Sequence, residues 1–510
     1  MSLPEVYVLL LASVVIVLVS VAAARLASRV GLPVLLAYLA VGLALGEDGL
    51  GVPFDDAAVA QAVGAAALAI ILVEGGLSTR YSDIKPVLKP ASVLATLGVL
   101  ASVGVTAVAA HLLLDVPWQL AFLLGAIVSS TDAAAVFSVL RQLPLPRRVN
   151  GLLEAESGLN DAPAFILVLA FSASDLNAQM PLFLVWEITY ELTVGALVGL
   201  AAGFGGVWLL RRLSLPASGL YPIATFACGL AAFAGAGLIH ASGFLAAYLG
   251  GLVLGNSGLP HRRATRSVAE GLGWIAQIGL FVMLGLLATP RELPEALLPA
   301  MVVGLVLLLL ARPISVLISL TPFRVPLREQ AFLSWAGLRG AVPIVLATIP
   351  VVAHVAGSDQ IFNVVFVLVV VFTALQAPVL PLLARRLRLV PAHVSAELQV
   401  EVAPLDNLPA DLLHVSIEAG SKLHGVEIWQ LRLPDLAAVT LVERGGRVFV
   451  PGLATKLRTG DQILVITTLD ARAETERRLR AVARAGRLAA WRGETGSSDL
   501  PPERPLRSER

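Results

Sequence analysis

The chain has 510 residues, of which 57% are hydrophobic and only 14% charged, and its mean hydropathy is +0.83. An ordinary soluble domain carries roughly 25% charged residues. A net charge of +1 gives no basic field for nucleic acid, and the single cysteine, Cys228, excludes a disulfide framework or a multi-thiolate metal site. The charge is unevenly spread: 41 of residues 1–390 are charged, against 32 of residues 391–510. Residues 1–390 therefore read as a polytopic membrane domain, and the rest as a soluble domain (391–470) followed by an Arg-rich helix and disordered tail (471–510).

A transmembrane helix needs about 20 mostly apolar residues. Thirteen stretches qualify: 5–24, 31–46, 57–75, 91–114, 118–139, 151–174, 182–210, 221–239, 242–256, 271–288, 296–320, 329–350 and 361–384. The stretches 31–46 and 242–256 are short, which suits tilted or half-buried helices. The first has no Lys or Arg before its apolar run and no clean cleavage site, so it reads as a retained helix.

The loops test this count. Alternate loops hold Arg25 and Arg29; Arg80, Lys85 and Lys89; Arg141, Arg147 and Arg148; Arg211 and Arg212; Arg262, Arg263 and Arg266; Arg324 and Arg328; and Arg385, Arg386 and Arg388. The opposite loops hold one cation, Arg291, among acids such as Glu47, Asp48, Asp55, Asp56 and Asp115. Positive charge collects on the cytoplasmic side. The pattern predicts an N-terminus outside, thirteen helices and a cytoplasmic C-terminal domain.

A few charges remain at membrane depth: Glu74, Asp132, Glu154, Glu156, Asp161, Glu187, Glu191, Arg312 and Arg339. An ionisable group there is costly and marks a functional site by default. In GLLEAESGLNDAPAFILV (151–168), Glu154, Ser157 and Asp161 share one helix face, with Glu156 and Asn160 beside it. Such a face lines a polar cavity or meets cations from other helices. A purely structural cluster would be met at lower cost by one Asn or Ser.

In GAIVSSTDAAAVFSV (125–139), the run Ser129-Ser130-Thr131-Asp132 sits in mid-span. These residues compete for backbone hydrogen bonds and weaken the helix, and a break at that depth frees carbonyls for a cation. In SWAGLRGAVPIVLATIP (334–350), Gly337, Gly340 and Pro343 flank Arg339 and interrupt a second helix. One interrupted helix per half, one acidic and one basic, points to an inverted-repeat transporter. Arg312 either snorkels to the interface or pairs with Glu156 or a neighbouring acid. Glu74 is either an interface residue or a cation contact. Glu187 and Glu191, four apart, read as cavity-rim or structural residues.

Four motifs then carry a resemblance. TDAAAVFSVLR (131–141), ESGLNDAPAF (156–165), LVEGGL (72–77) and GLRGAVP (337–343) together resemble the monovalent cation:proton antiporters of the NhaP and sodium/hydrogen-exchanger type, in order and spacing over about 1–390. The resemblance implies thirteen helices in inverted repeats, a dimerisation domain, a six-helix core with two discontinuous crossing helices, a homodimer and alternating access. It implies that Asp161 binds the cation or the proton, and that Ser157, Asp132 and Glu74 contact the cation directly or through water. Asn160 and Thr131 would orient the crossing helices. Glu156 would form a structural ion pair with Arg312 or Arg339. Electrogenic relatives have Asp-Asp where this chain has Asn160-Asp161, which implies electroneutral exchange. No cofactor is implied.

After Pro391 the period changes. Residues 412–419, 437–443, 448–450 and 462–467 read as strands, with a hairpin at Gly445-Gly446 and a short helix over Leu423–Leu431. No GxGxxG fingerprint appears. GSKLHGVEIWQLRLP and RTGDQILVIT, within 400–470, resemble the TrkA-C or RCK-C module of potassium-transport regulators. Such a module implies a small-molecule regulator; a ligand-free α+β assembly domain is the alternative. Together the two parts resemble the bacterial potassium/proton antiporters of the cell volume regulation protein A type, favouring K⁺ with Na⁺ as the other candidate. The competing functions are a cation channel or an efflux system gated by the cytosolic domain. No TVGYG-like filter, metal-ligand set or nucleophile triad is present in the sequence, so neither a channel filter nor an enzyme is indicated.

Overall fold

A computed structural model of the chain describes residues 2–132, 136, 145–173, 180–213, 215–390, 399–404, 410–418, 420–468 and 470–494. They divide into two units, Met1–Val390 and Pro391–Arg510.

The first unit is all helical among its described residues. In chain order the helices are α1 (Leu3–Val30), α2 (Val34–Leu45), α3 (Ala57–Ser78), α4 (Tyr81–Leu114), α5 (Trp118–Ile127), α6 (Arg147–Ser172), α7 (Met180–Arg212) and α8 (Leu220–Leu238). They continue with α9 (Gly243–Asn256), α10 (Arg262–Leu287), α11 (Leu293–Phe323), α12 (Leu327–Trp335), α13 (Ala341–Val352) and α14 (Ser358–Arg386). Among the described residues, eight of these are long and apolar enough to cross a membrane: α1, α3, α4, α7, α8, α10, α11 and α14. The others fall short for identifiable reasons. α2 and α9 are 12 and 14 residues long. α5, α12 and α13 border interruptions. α6 has 26 residues but carries charged groups along its first half.

The helices pack as two bundles. α2, α3, α7, α8, α9 and α10 contact one another extensively, and α4, α5, α6, α11, α13 and α14 form the second set. α3 and α9 approach closely through small residues: a Cβ on Gly76 would lie 2.4 Å from the carbonyl oxygen of Tyr248. Without a hydrophobic driving force between helices in lipid, such close backbone contact supplies the association. The bundles meet where α13 contacts α3 and α9 contacts α6. Helices α4 and α11 each contain a π-helical turn, Leu94–Gly98 and Leu307–Ala311. Ser315 on α11 donates to the Gly98 carbonyl at 2.8 Å, filling a site the first π turn exposes.

The second unit holds a five-stranded antiparallel sheet, order β1-β2-β5-β3-β4, with β1 Gln399–Pro404, β2 Ala410–Ser416, β3 Ala437–Arg444, β4 Arg447–Phe449 and β5 Gln462–Thr468. The hairpin joins β3 to β4 with Arg444 opposite Arg447, so Gly445 and Gly446, both at positive φ, form its turn. α15 (Arg472–Ala485) packs Leu479, Val482 and Ala483 into the sheet's core beside Leu413, Val415, Ile463 and Val465.

The expected helix over Leu423–Leu431 is corrected: only a 3-10 turn, Ile428–Leu431, forms. Gly425 adopts φ +81, and the amides of Gly425 and Ile428 bond to the carbonyls of Leu457 and Thr455, so pairing with a segment remote in sequence replaces helical bonding. β1 was not among the expected strands. The tail from residue 495 lies outside the described residues, as do Arg141, the domain boundary at 391–398 and, apart from Val136, residues 133–141 of the TDAAAVFSVLR motif.

Candidate functional site

The site begins with two helix breaks. α5 ends at Ile127, and Val128–Asp132 follow without helical structure. The Ser129 hydroxyl turns back onto the Ala126 carbonyl at 2.7 Å, the local competition that weakens a helix. α12 ends at Trp335, and Ala336–Gly340 separate it from α13. The two breaks touch: the Asp132 amide donates to the Leu338 carbonyl at 2.9 Å. Arg339, 3% exposed, donates from Nη1 to the Ser129 carbonyl at 2.5 Å and to the Ser130 carbonyl. A guanidinium thus caps the negative end of α5, while the Asp132 carboxylate lies against Gly340 at the positive start of α13. From α14, the Thr373 hydroxyl donates to the Arg339 carbonyl at 2.8 Å and fixes the second break.

α6 supplies the reacting face. The Ser130 hydroxyl donates to Asp161 Oδ1 at 2.5 Å. Asn160 Nδ2 donates to Thr131 Oγ1 at 2.6 Å, and the Ser157 hydroxyl donates to the Thr131 carbonyl at 3.0 Å. One turn back, Glu156 accepts from Arg312 at 2.5 and 2.8 Å in a bidentate pair. Both partners are almost fully buried. The open choice of partner for Glu156 thus resolves to Arg312, and Arg339 serves the carbonyls instead.

A cavity of about 250 Å³ lies between the bundles. Thr131, Asp132, Glu154, Ser157 and Asp161 line it from one side with Ala341 and Val342; Glu74, Ser78, Thr79, Tyr248 and Gln277 line it from the other. The Glu74 carboxylate accepts from the Ser78 hydroxyl at 2.9 Å. All five residues expected to face a cation, Asp161, Asp132, Ser157, Thr131 and Glu74, border this one space. Asn160, Glu156, Arg312 and Arg339 stand behind it as its frame. Glu187 and Glu191, on α7, do not line it. Tyr248 and Gln277 were not singled out in the sequence, because each stands alone in a stretch read as an ordinary span.

Carboxylates and hydroxyls thus converge on one cavity beside a helix break, and among the described residues no group of three or more His, Cys, Asp or Glu is placed to hold a metal ion. The family model described as "Sodium/hydrogen exchanger, transmembrane" matches residues 14–386. This chain belongs to that family. Its membrane part is a cation/proton antiporter domain with several membrane-crossing helices. A second model, the TrkA-C domain, matches residues 412–480. The chain is 38% identical over 457 residues to the K(+)/H(+) antiporter NhaP2 of Shewanella baltica, covering 88% of this chain and 79% of that one. It is 40% identical over 408 residues to the K(+)/H(+) antiporter NhaP of Alkalimonas amylolytica, covering 78% and 69%. Among solved structures, the sodium proton antiporter MjNhaP1 of Methanocaldococcus jannaschii superposes with a TM-score of 0.65 at 21% identity, covering 75% of this chain and 99% of that one. This last likeness concerns the fold.

Proposed function

We propose that this protein exchanges K⁺ for H⁺ across the bacterial inner membrane, with Asp161 as the group that both ions share. The carrying observation is the placement of Asp161: buried at the cavity wall, bonded to the Ser130 hydroxyl, and facing the space that Glu74, Asp132 and Ser157 also border. A carboxylate in a low-dielectric site holds either a proton or a cation, because two positive charges there repel and an unneutralised anion is costly. That competition couples the two fluxes. The Thr131 carbonyl and the Ser157 hydroxyl add neutral oxygens, and Asp132 and Glu74 draw the cation in. K⁺ is preferred to Na⁺ because the two relatives at 38% and 40% identity are named for K⁺.

The chain crosses the membrane thirteen times, with its N-terminus outside and the TrkA-C domain in the cytoplasm. The alternation of Arg-rich and Arg-poor loops supports this. The π turns in α4 and α11, each followed by an interrupted segment, support an inverted repeat. The α4–α6 and α11–α14 set moves against the other bundle to alternate access, and that other bundle, α2, α3 and α7–α10, pairs two copies into a homodimer. Asn160 in place of a second acid leaves one titrating carboxylate in the pair, so exchange is electroneutral. The cytosolic domain senses a small molecule that sets the transport rate.

Exchange in everted vesicles, measured by dequenching of a pH-gradient dye on addition of K⁺, Na⁺ or Li⁺, tests the reading. K⁺ gives the strongest response at the lowest concentration, imposed membrane potential leaves the rate unchanged, and Asp161→Asn gives none while reaching the membrane in normal amount. Residual exchange in that variant, or a cation current without proton movement, would overturn it.

A further inference from the structure

Tyr248 reaches the site from the opposite bundle. It is 3% exposed and lines the cavity, and the Thr79 side chain is the one protein group against its hydroxyl among the described residues. Thr79 and Glu154 lie near it. The Thr79 hydroxyl is already committed, donating to the Gly75 carbonyl at 2.8 Å. A buried phenol on a cavity wall, bonded at most through its proton, calls for an explanation.

The ring's position supplies one. It lies against Gly158, where a Cβ would come within 2.6 Å of Cε2 and Cζ. Gly158 stands four residues after Glu154 and three before Asp161, so on α6 it sits between the two cavity-lining acids. The notch left by a missing side chain seats an aromatic hydroxyl on the path between them. The Thr79 proton is spent on Gly75, so it is the phenol that donates between the two hydroxyls, and both lone pairs of the phenolic oxygen stay available to a cation. A monovalent cation entering a protein site exchanges hydration waters for such neutral oxygens.

We propose that Tyr248 is a substrate-positioning residue, whose phenolic oxygen replaces one water of the entering cation as it passes from Glu154 to Asp161. The phenol keeps its proton throughout and only a lone pair is used. This rests on the reading of Asp161 as the shared binding group.

The test compares Tyr248→Phe, Gly158→Ala and the double variant Y248F/G158A in everted vesicles with full-length protein, reading KM for K⁺ and maximal rate separately, with Asp161→Asn alongside. Tyr248→Phe keeps the ring in its notch and removes one oxygen, so the fold is retained. Losing one neutral ligand raises KM about fivefold, with the maximal rate within about twofold. Gly158→Ala raises KM by displacing the ring, and adds nothing further in the Y248F background, where no hydroxyl remains to misplace. An unchanged KM in Tyr248→Phe, a fall in maximal rate alone, or KM effects that multiply in the double variant would each overturn the role of Tyr248. Exchange persisting in Asp161→Asn would instead remove the reading of the site on which it rests.

Discussion

Gly340 and Asp132 come from different helix breaks and fit together without room for a methyl group: a Cβ on Gly340 would lie 1.8 Å from Asp132 Oδ2. The glycine is there for the approach, since it lets the carboxylate reach the first turn of α13. Its Gly340→Ala variant must push the two breaks apart. Overpacking of this kind costs about 1–3 kcal/mol. Exchange in everted vesicles falls at least about tenfold, since reacting groups displaced by about an ångström lose far more than binding alone. Wild-type exchange in this variant would mean that the breaks separate without consequence.

The Glu156–Arg312 pair behaves as a frame. Glu156→Gln leaves a buried guanidinium without its counter-charge, which costs about 3–5 kcal/mol. Fluorescence-detected size exclusion after heating then shows a lower melting temperature and less folded protein. Replacing both partners with apolar residues, E156L/R312M, removes the stranded charge and recovers much of that loss. A double variant as unstable as the single would indicate that the bidentate geometry itself holds the bundle.

Asn160 ties α6 to the first break through a single 2.6 Å bond to Thr131 Oγ1. Asn160→Ala cuts that tie while leaving Asp161 in place. Thr131 remains held by Ser157 at its carbonyl, so the fold survives, but the alignment of the break loosens. Maximal exchange rate drops about tenfold with melting temperature nearly unchanged, in line with the cost of small misplacements at a reacting centre. Equal losses of rate and stability would assign Asn160 to packing alone.

In the soluble unit, Asp461 accepts from Arg444 at 2.8 and 2.7 Å and from the Arg458 amide at 2.7 Å. Burial works to raise its carboxyl, but these hydrogen bonds and the neighbouring guanidinium charges outweigh it and hold the group below the ordinary carboxylate value. A carboxylate held low in the folded state contributes stability that is present above its unfolded value, about 3.9, and is lost as pH falls through the lower folded value. The protection factors of peptides from residues 410–480 in the full chain, taken against the intrinsic exchange rate at each pH, therefore fall on acidification below about pH 4. Asp461→Asn accelerates exchange already at pH 7 and flattens the acid dependence. An acid response identical in both proteins would assign it to other groups.

Much of the candidate site was legible in the chain because burying charge is costly enough to be informative. Asp161, Glu156 and Arg312 stood out as ionisable groups in apolar stretches, and all three are buried. Gly337, Gly340 and the Ser129–Asp132 run announced the breaks through their poor fit to a helix. Tyr248 gave no such sign, since a lone tyrosine in an apolar span is ordinary until it is seen to line the cavity. In the soluble unit, β2, β3, β4 and β5 followed from alternation and the Gly-Gly turn. β1 did not, and the segment at Leu423–Leu431 looked helical because its hydrogen-bond partners at Thr455 and Leu457 are remote in sequence.

By itself, the sequence determined that this is a membrane chain with a soluble end, and which few charges would have to be accounted for at depth. Those conclusions rest on transfer free energies, which each residue carries wherever it is placed. Which partner each charge takes was decided only by the tertiary structure. Arg312 and Arg339 are the same residue type in similar apolar surroundings, yet one closes on Glu156 and the other on the carbonyls of Ser129 and Ser130. Hydrogen bonds are directional and act over a few ångströms. The choice between two equivalent guanidiniums therefore depends on how α11 and the α12–α13 break are brought against α5 and α6.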